Sequence, residues 1–167
     1  HWNGHLMKGR THFSKEHLKH HTTKDHFSTL PEKIRSAAPV SLAILLVSGF
    51  TIGWVLGLIF SFGVVSGYVV YEYLHWSAHV APPKTAYGRW VRRHHFSHHF
   101  MDARFNHGVT TSLWGHIFRT YRAPTQIRVP RRFAMEWLLD ENGELDPTHA
   151  ADYTLTGRAR PQRAHAA

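Results

Sequence analysis

Hydrophobic and polar positions are segregated along this chain in blocks. Between Arg35 and Glu72 lie 36 residues without one charged side chain, dominated by Leu, Ile, Val, Phe, Gly and Ala. A helix needs about 20 residues to cross a hydrocarbon core of about 30 Å, so one crossing would leave roughly half of the block over. Two crossings fit if the chain turns near Ser48-Gly49-Phe50-Thr51-Ile52-Gly53, where glycine permits a tight bend. The pattern predicts a helical hairpin of about 37–74, with arms at about 37–50 and 54–74, the first of them short. The competing reading is a buried helix pair in a soluble protein, but a soluble domain of this size rarely keeps so long a stretch uncharged. The internal position and length of the block exclude a cleaved secretion signal.

The flanks carry all the charge. Residues 1–36 are polar, basic and rich in His, with Pro31 closing the section; they hold 7 Lys and Arg, the part after the block holds 13, and the turn holds none. The positive-inside rule then places both flanks, and so both termini, in the cytosol of an integral membrane protein. This accounts for much of the net charge of +9 without a nucleic-acid partner. Pro82-Pro83 ends the helix leaving the membrane, and a further helix is expected from about Tyr87 to Phe100. The basic run from Arg119 to Arg132 suits lipid headgroups, and Ala134 to Leu139 suits a short helix. From Asp140 onward the chain is polar, and residues 155–167 read as a disordered tail. The expected organisation is a membrane domain over 1–139 and a polar, partly disordered segment over 140–167. A chain that starts at His1 rather than at Met reads as amino-terminally truncated.

Seventeen histidines and no cysteine set the chemistry. His1 and His5 are four apart, and His17, His20 and His21 follow as H-x-x-H-H. After the apolar block His75 and His79 are again four apart, and His95, His98 and His99 again read H-x-x-H-H. The intervals between pair and triplet are 11 and 15 residues. Residues three and four apart share a helix face, with Cβ atoms about 5–6 Å apart, and two imidazoles so placed can hold one metal at bonds of about 2 Å. In H-x-x-H-H the first ring pairs with both later ones, while the adjacent two diverge and can serve different metals. A lone H-x3-H is weak evidence; two complete sets flanking a hairpin are strong evidence. Clustered imidazoles repel when protonated, and ligation requires the deprotonated ring.

The chain is therefore read as all-α, a membrane hairpin bearing a cytosolic, histidine-rich helical cap with a dimetal site. Only a hairpin returns His75–His99 to the side occupied by His1–His21. His75 follows the second arm directly, in a Tyr and Trp belt typical of the membrane surface. Imidazole suits zinc, copper, iron and nickel alike. Zinc would give a hydrolytic site, which generally uses three protein ligands on one metal. Ten histidines at a lipid boundary fit two iron ions activating O2, although zinc could occupy the same ligands in purified protein.

Three stretches resemble the fatty acid hydroxylase/sterol desaturase superfamily. They are Tyr71-Glu72-Tyr73-Leu74-His75-Trp76-Ser77-Ala78-His79, Arg92-Arg93-His94-His95-Phe96-Ser97-His98-His99, and Asn106-His107-Gly108-Val109-Thr110-Thr111-Ser112-Leu113-Trp114-Gly115-His116-Ile117-Phe118-Arg119-Thr120. The resemblance covers about residues 1–121. It implies a mostly helical membrane fold and O2-dependent hydroxylation or desaturation of a lipid. Electrons would come from a separate donor, cytochrome b5-like or ferredoxin-like. Carried over residue by residue, it implies the ligands His1, His5, His17, His20, His21, His75, His79, His95, His98 and His99. Gly115-His116 stands where the family usually has Trp-Asp, and Arg119 where it usually has Gly. His94, His107, His12 and His26 fall outside the repeated spacing and read as neighbours of the ligands, His149 and His165 as solvent-exposed. Glu72, three residues before His75, reads either as an orienting group for a ligand or as a structural residue of the interface.

The leading reading is a monooxygenase acting on a fatty acyl chain or a sterol-like lipid. A carotenoid hydroxylase or a lipid desaturase is the rival within the enzyme class; the 15-residue interval and the Asn106–Thr120 trailer favour the hydroxylases. A metal-transporting or metal-buffering membrane protein would need polar residues within the spans, and the block offers only Ser, Thr and Gly. A nucleic-acid binder explains the charge but neither the hairpin nor the repeat.

Overall fold

The local signals for helix boundaries are used where the sequence puts them. The computed structural model describes residues 8, 10–23 and 26–158; His1, His5 and His165 lie outside the described residues. Two compact units divide the chain, residues 1–79 and 80–167.

The first unit contains α1 (His12–Thr22), α2 (Leu30–Ile52) and most of α3 (Trp54–Val80). Thr11 caps α1, its hydroxyl accepting from the Ser14 N–H at 3.1 Å. Thr29 and Glu32 start α2, where the Glu32 carboxylate accepts from the Thr29 N–H at 2.7 Å and Pro31 occupies the first turn. Proline there costs no hydrogen bond, because the first N–H groups of a helix have no intrahelical acceptor. Pro31 thus opens the helix rather than closing the preceding section, and the first arm is correspondingly longer than the sequence suggests. The 23 residues of α2 and 27 of α3 are each long and apolar enough to cross a membrane.

Gly53, at φ 86°, separates the two arms. Next to it the arms approach too closely for side chains: a Cβ on Gly57 would lie 2.7 Å from the Gly49 nitrogen, and one on Gly49 would lie 2.4 Å from the Trp54 ring. Small residues at such a crossing let backbones meet without a hydrophobic driving force. Ser48 and Ser61 are buried beside it, and the Ser48 hydroxyl bonds back to the Ile44 carbonyl at 2.7 Å. Phe50, Val55 and Phe62 are by contrast more than 70% exposed, the outward apolar surface expected of helices solvated by lipid. Farther along the arms Lys33 forms an ion pair with Glu72, which ties α2 to α3.

The second unit holds α4 (Ala86–Phe100), α5 (Leu113–Ile117), β1 (Ile127–Pro130) and β2 (Tyr153–Thr156). Thr85 caps α4 through the Gly88 N–H at 3.0 Å. The strands pair in parallel, Ile127 opposite Tyr153 and Pro130 opposite Thr156. Val91, Phe96, Ile127, Val129, Leu138 and Tyr153 form the buried core.

Three expectations change here. The chain is mostly helical but not all-α, and Leu155 and Thr156 belong to a strand rather than a disordered tail. Ala134–Leu139 contributes only a short 3-10 turn, Glu136–Leu138. The cause is tertiary. Asp152 accepts from Arg89 of α4, bonding the Arg89 guanidinium Nη2 at 2.9 Å, and pairs with Arg93 at 3.2 Å. That clamp draws a polar segment, without a hydrophobic repeat of its own, onto α4 and β1.

Candidate metal centre

In the first unit α1 and the end of α3 bring two sets of imidazoles together. One ring nitrogen from each of His20, His75 and His79 lies within 4.8 Å of the others, and His17 and His21 form a second set by the same measure. The rings of His20 and His75 are 4.6 Å apart, those of His20 and His79 4.7 Å, and those of His17 and His21 4.7 Å. The i and i+4 members of H-x-x-H-H therefore pair, and the i+3 member turns to the helix from beyond the apolar block. The sequence expectation that the first ring would serve both later ones is thereby refined.

The second unit repeats the division. His95 and His99, four apart on α4, have rings 4.4 Å apart, with ring nitrogens within 4.8 Å. The His98 ring lies 6.1 Å from that of His99 and faces a different neighbour, His107, at 5.1 Å. His94 stacks between Trp90 and Tyr121, at 4.9 and 5.8 Å.

Backbone carbonyls set the tautomers. His20 Nδ1 lies 2.8 Å from the His26 carbonyl oxygen, and His98 Nδ1 lies 2.7 Å from that of Phe105. A carbonyl can only accept, so each proton sits on Nδ1 and each Nε2 offers a lone pair. Anchoring one ring nitrogen to orient the other is the usual support of a metal-ligating histidine. The Nε2 atoms of His20 and His75 are 2.9 Å apart. Two ring nitrogens come this close either through one shared hydrogen or as ligands of one cation. The donor set, imidazoles with preset Nε2 lone pairs, fits a borderline metal ion.

The supports were not visible in the sequence. Glu16 binds His26 Nε2 at 2.8 Å and so steadies the loop whose carbonyl holds His20. In the second unit Asn106, at φ 57°, accepts from the Arg122 N–H and donates to the Arg122 carbonyl, both at 2.9 Å. Asparagine tolerates that left-handed backbone better than most residues. It locks the loop that presents the Phe105 carbonyl to His98. His107 uses Nε2 to donate to the Arg104 carbonyl at 3.0 Å. His149, expected in solvent, is half-buried with its ring 5.1 Å from Trp137; the strand pairing brings it there.

Burial favours the neutral rings. It holds the His20 pKa below the ordinary value against the opposing effect of the His26 carbonyl. It lowers His94 to about 4, with His107 and His116 adding to the shift. Beside the first set lies a cavity of about 310 Å³, whose walls include His20, His75, Phe27, Tyr71 and Lys33. The Phe27 ring sits 5.4 Å from His20 and 5.5 Å from His79, screening those rings from water.

Part of the chain is similar in sequence to known proteins. Dihydroceramide fatty acyl 2-hydroxylase FAH2 of Arabidopsis thaliana is 34% identical over 58 residues, 35% of this chain and 24% of that protein. Fatty acid 2-hydroxylase of Mus musculus is 37% identical over 65 residues, 38% of this chain and 17% of its own. The chain is similar to fatty acid 2-hydroxylases. The human fatty acid 2-hydroxylase matches at 35% over 65 residues, 17% of its length. The matched region thus spans a quarter or less of these relatives. No protein-family model matches the chain, and no solved structure does.

Proposed function

We propose that this chain is the metal-binding core of an O2-dependent, two-iron oxidoreductase that hydroxylates a lipid acyl chain at the membrane surface. The observation that carries the reading is the repeated histidine pattern whose i+3 members, His20 and His98, are each held by a carbonyl with Nε2 ready to ligate. The similarity to fatty acid 2-hydroxylases supports carbon 2 of a fatty acyl chain as the position attacked. In this reading the iron ligands are His1, His5, His17, His20, His21, His75, His79, His95, His98 and His99. The helices α2 and α3 span the bilayer, and the termini and the site are cytosolic.

The chemistry supplied by bound iron is reduction of O2 and insertion of one oxygen atom into a C–H bond. The balance is RH + O2 + 2e⁻ + 2H⁺ → ROH + H2O, with both electrons from a separate cytochrome b5-like or ferredoxin-like donor. The protein's part is positional. His20 and His98 keep their rings neutral and aimed. The cavity beside His20 and His75 admits the acyl carbon, and Phe27 keeps water from that face. Nucleic acid has no part in the reading.

Metal analysis of detergent-purified protein tests this directly. Two irons per chain are expected, with loss of iron in a His98→Ala, His99→Ala double variant. A single zinc per chain would overturn the proposal. Lipid profiling of expressing cells should show acyl species heavier by one oxygen at carbon 2; species lighter by two hydrogens would identify a desaturase instead.

A further inference from the structure

α5 is only five residues long, yet it is two-sided. Leu113, Trp114, Ile117 and Phe118 occupy positions i, i+1, i+4 and i+5, one face of a helix, and each is 55% exposed or more. The other side lies against Tyr121 of the returning chain. A Cβ on Gly115 would lie 3.2 Å from the Tyr121 Cβ, and the His116 ring lies 4.2 Å from that of Tyr121. Arg119 at φ 55° then turns the chain back, so that the Thr120 and Tyr121 N–H groups both reach the Gly115 carbonyl, at 2.8 and 2.9 Å. The four apolar side chains are thus held outward by a closed turn. Trp114 and Phe118 stack at 6.0 Å to make one continuous apolar patch.

Charge identifies what covers the patch. Residues 103–135 contain six arginines and no Asp or Glu. Arg104 and Arg122 flank the patch in sequence and share the single carboxylate of Asp102, while Arg119 is exposed at its edge. An outward Trp among Leu, Ile and Phe with arginines around it matches the headgroup layer of an anionic bilayer. There indole sits at the interface, and nearby Lys and Arg are attracted to the anionic headgroups.

We propose that the Leu113–Phe118 turn is a lipid-surface anchor, inserting from the interface into the acyl boundary of an anionic membrane. It rests on the membrane reading of α2 and α3 but is independent of any metal.

The chain has no cysteine, so single labels can be placed without background. The full-length chain carries a nitroxide at Ile117→Cys, at the mid-span Phe62→Cys or at Glu141→Cys and is reconstituted in nanodiscs of phosphatidylcholine with phosphatidylserine. Collision rates with O2 and with a water-soluble nickel chelate are then read by electron paramagnetic resonance. The expected result is that Ile117→Cys, like Phe62→Cys, meets O2 several-fold more often than the chelate, while Glu141→Cys does the reverse. That preference should weaken in Arg119→Glu or when phosphatidylserine is omitted. A label at 117 as chelate-accessible as the one at 141 overturns the anchor. So does a label at 117 shielded from both reagents, which would mean a protein partner or a second copy covers the patch. If Phe62→Cys is itself chelate-accessible, the membrane reading fails along with the anchor.

Discussion

His26, a residue outside the repeated spacing, holds His20 through its backbone, its carbonyl oxygen 2.8 Å from His20 Nδ1. Its side chain is held in turn by Glu16 at 2.8 Å. The ring that faces His75 and His79 therefore depends on a loop with no ligand of its own.

Replacing His26 by Ala keeps the carbonyl but removes the Glu16 contact. Loss of an outer support of this kind typically costs about 10–100-fold in metal affinity. In the proposed two-iron protein, iron retained after dialysis against a graded chelator should fall accordingly, with helix content by circular dichroism unchanged. Retention equal to the parent would show that Glu16 and His26 do not orient the site.

His94 gives the acid limb of stability a defined source. Its pKa is lowered in the folded chain to about 4 from 6.5, first by burial. A lowered histidine pKa means the folded state resists protonation. Its stability is full above about 6.5 and is lost as pH falls from there toward 4, to a total of about 3 kcal/mol. His94→Phe preserves the stack with Trp90 and Tyr121 and removes the proton. Melting in detergent between pH 7 and pH 4 should show a shallower acid slope for this variant than for the parent.

The hairpin crossing has no spare space. Gly57→Ala would place a methyl 2.7 Å from the Gly49 nitrogen, whereas a Cβ at Gly63 meets nothing within 4 Å. Overpacking at a backbone contact costs about 1–3 kcal/mol. Unfolding in mixed micelles with rising detergent denaturant should shift for Gly57→Ala and stay put for Gly63→Ala. Equal midpoints for the two would remove the close crossing from the account.

The sequence by itself determined the hairpin, its turn near Gly53, the helix after Pro82-Pro83 and the helical pairing of His95 with His99. All of these follow from local rules: uncharged length, glycine and proline stereochemistry, and the 3.6-residue period. Only the tertiary structure decided that His20 leaves His17 and His21 to join His75 and His79, which lie more than fifty residues away across the apolar block. It also decided the tautomers of His20 and His98, the left-handed Asn106, and the parallel pairing of Ile127–Pro130 with Tyr153–Thr156. Each of those depends on a contact that helical periodicity does not encode, whether near in the chain, as from His20 to the His26 carbonyl, or far, as from His20 to His75. Polar segments carry no hydrophobic repeat that would announce such a contact in advance.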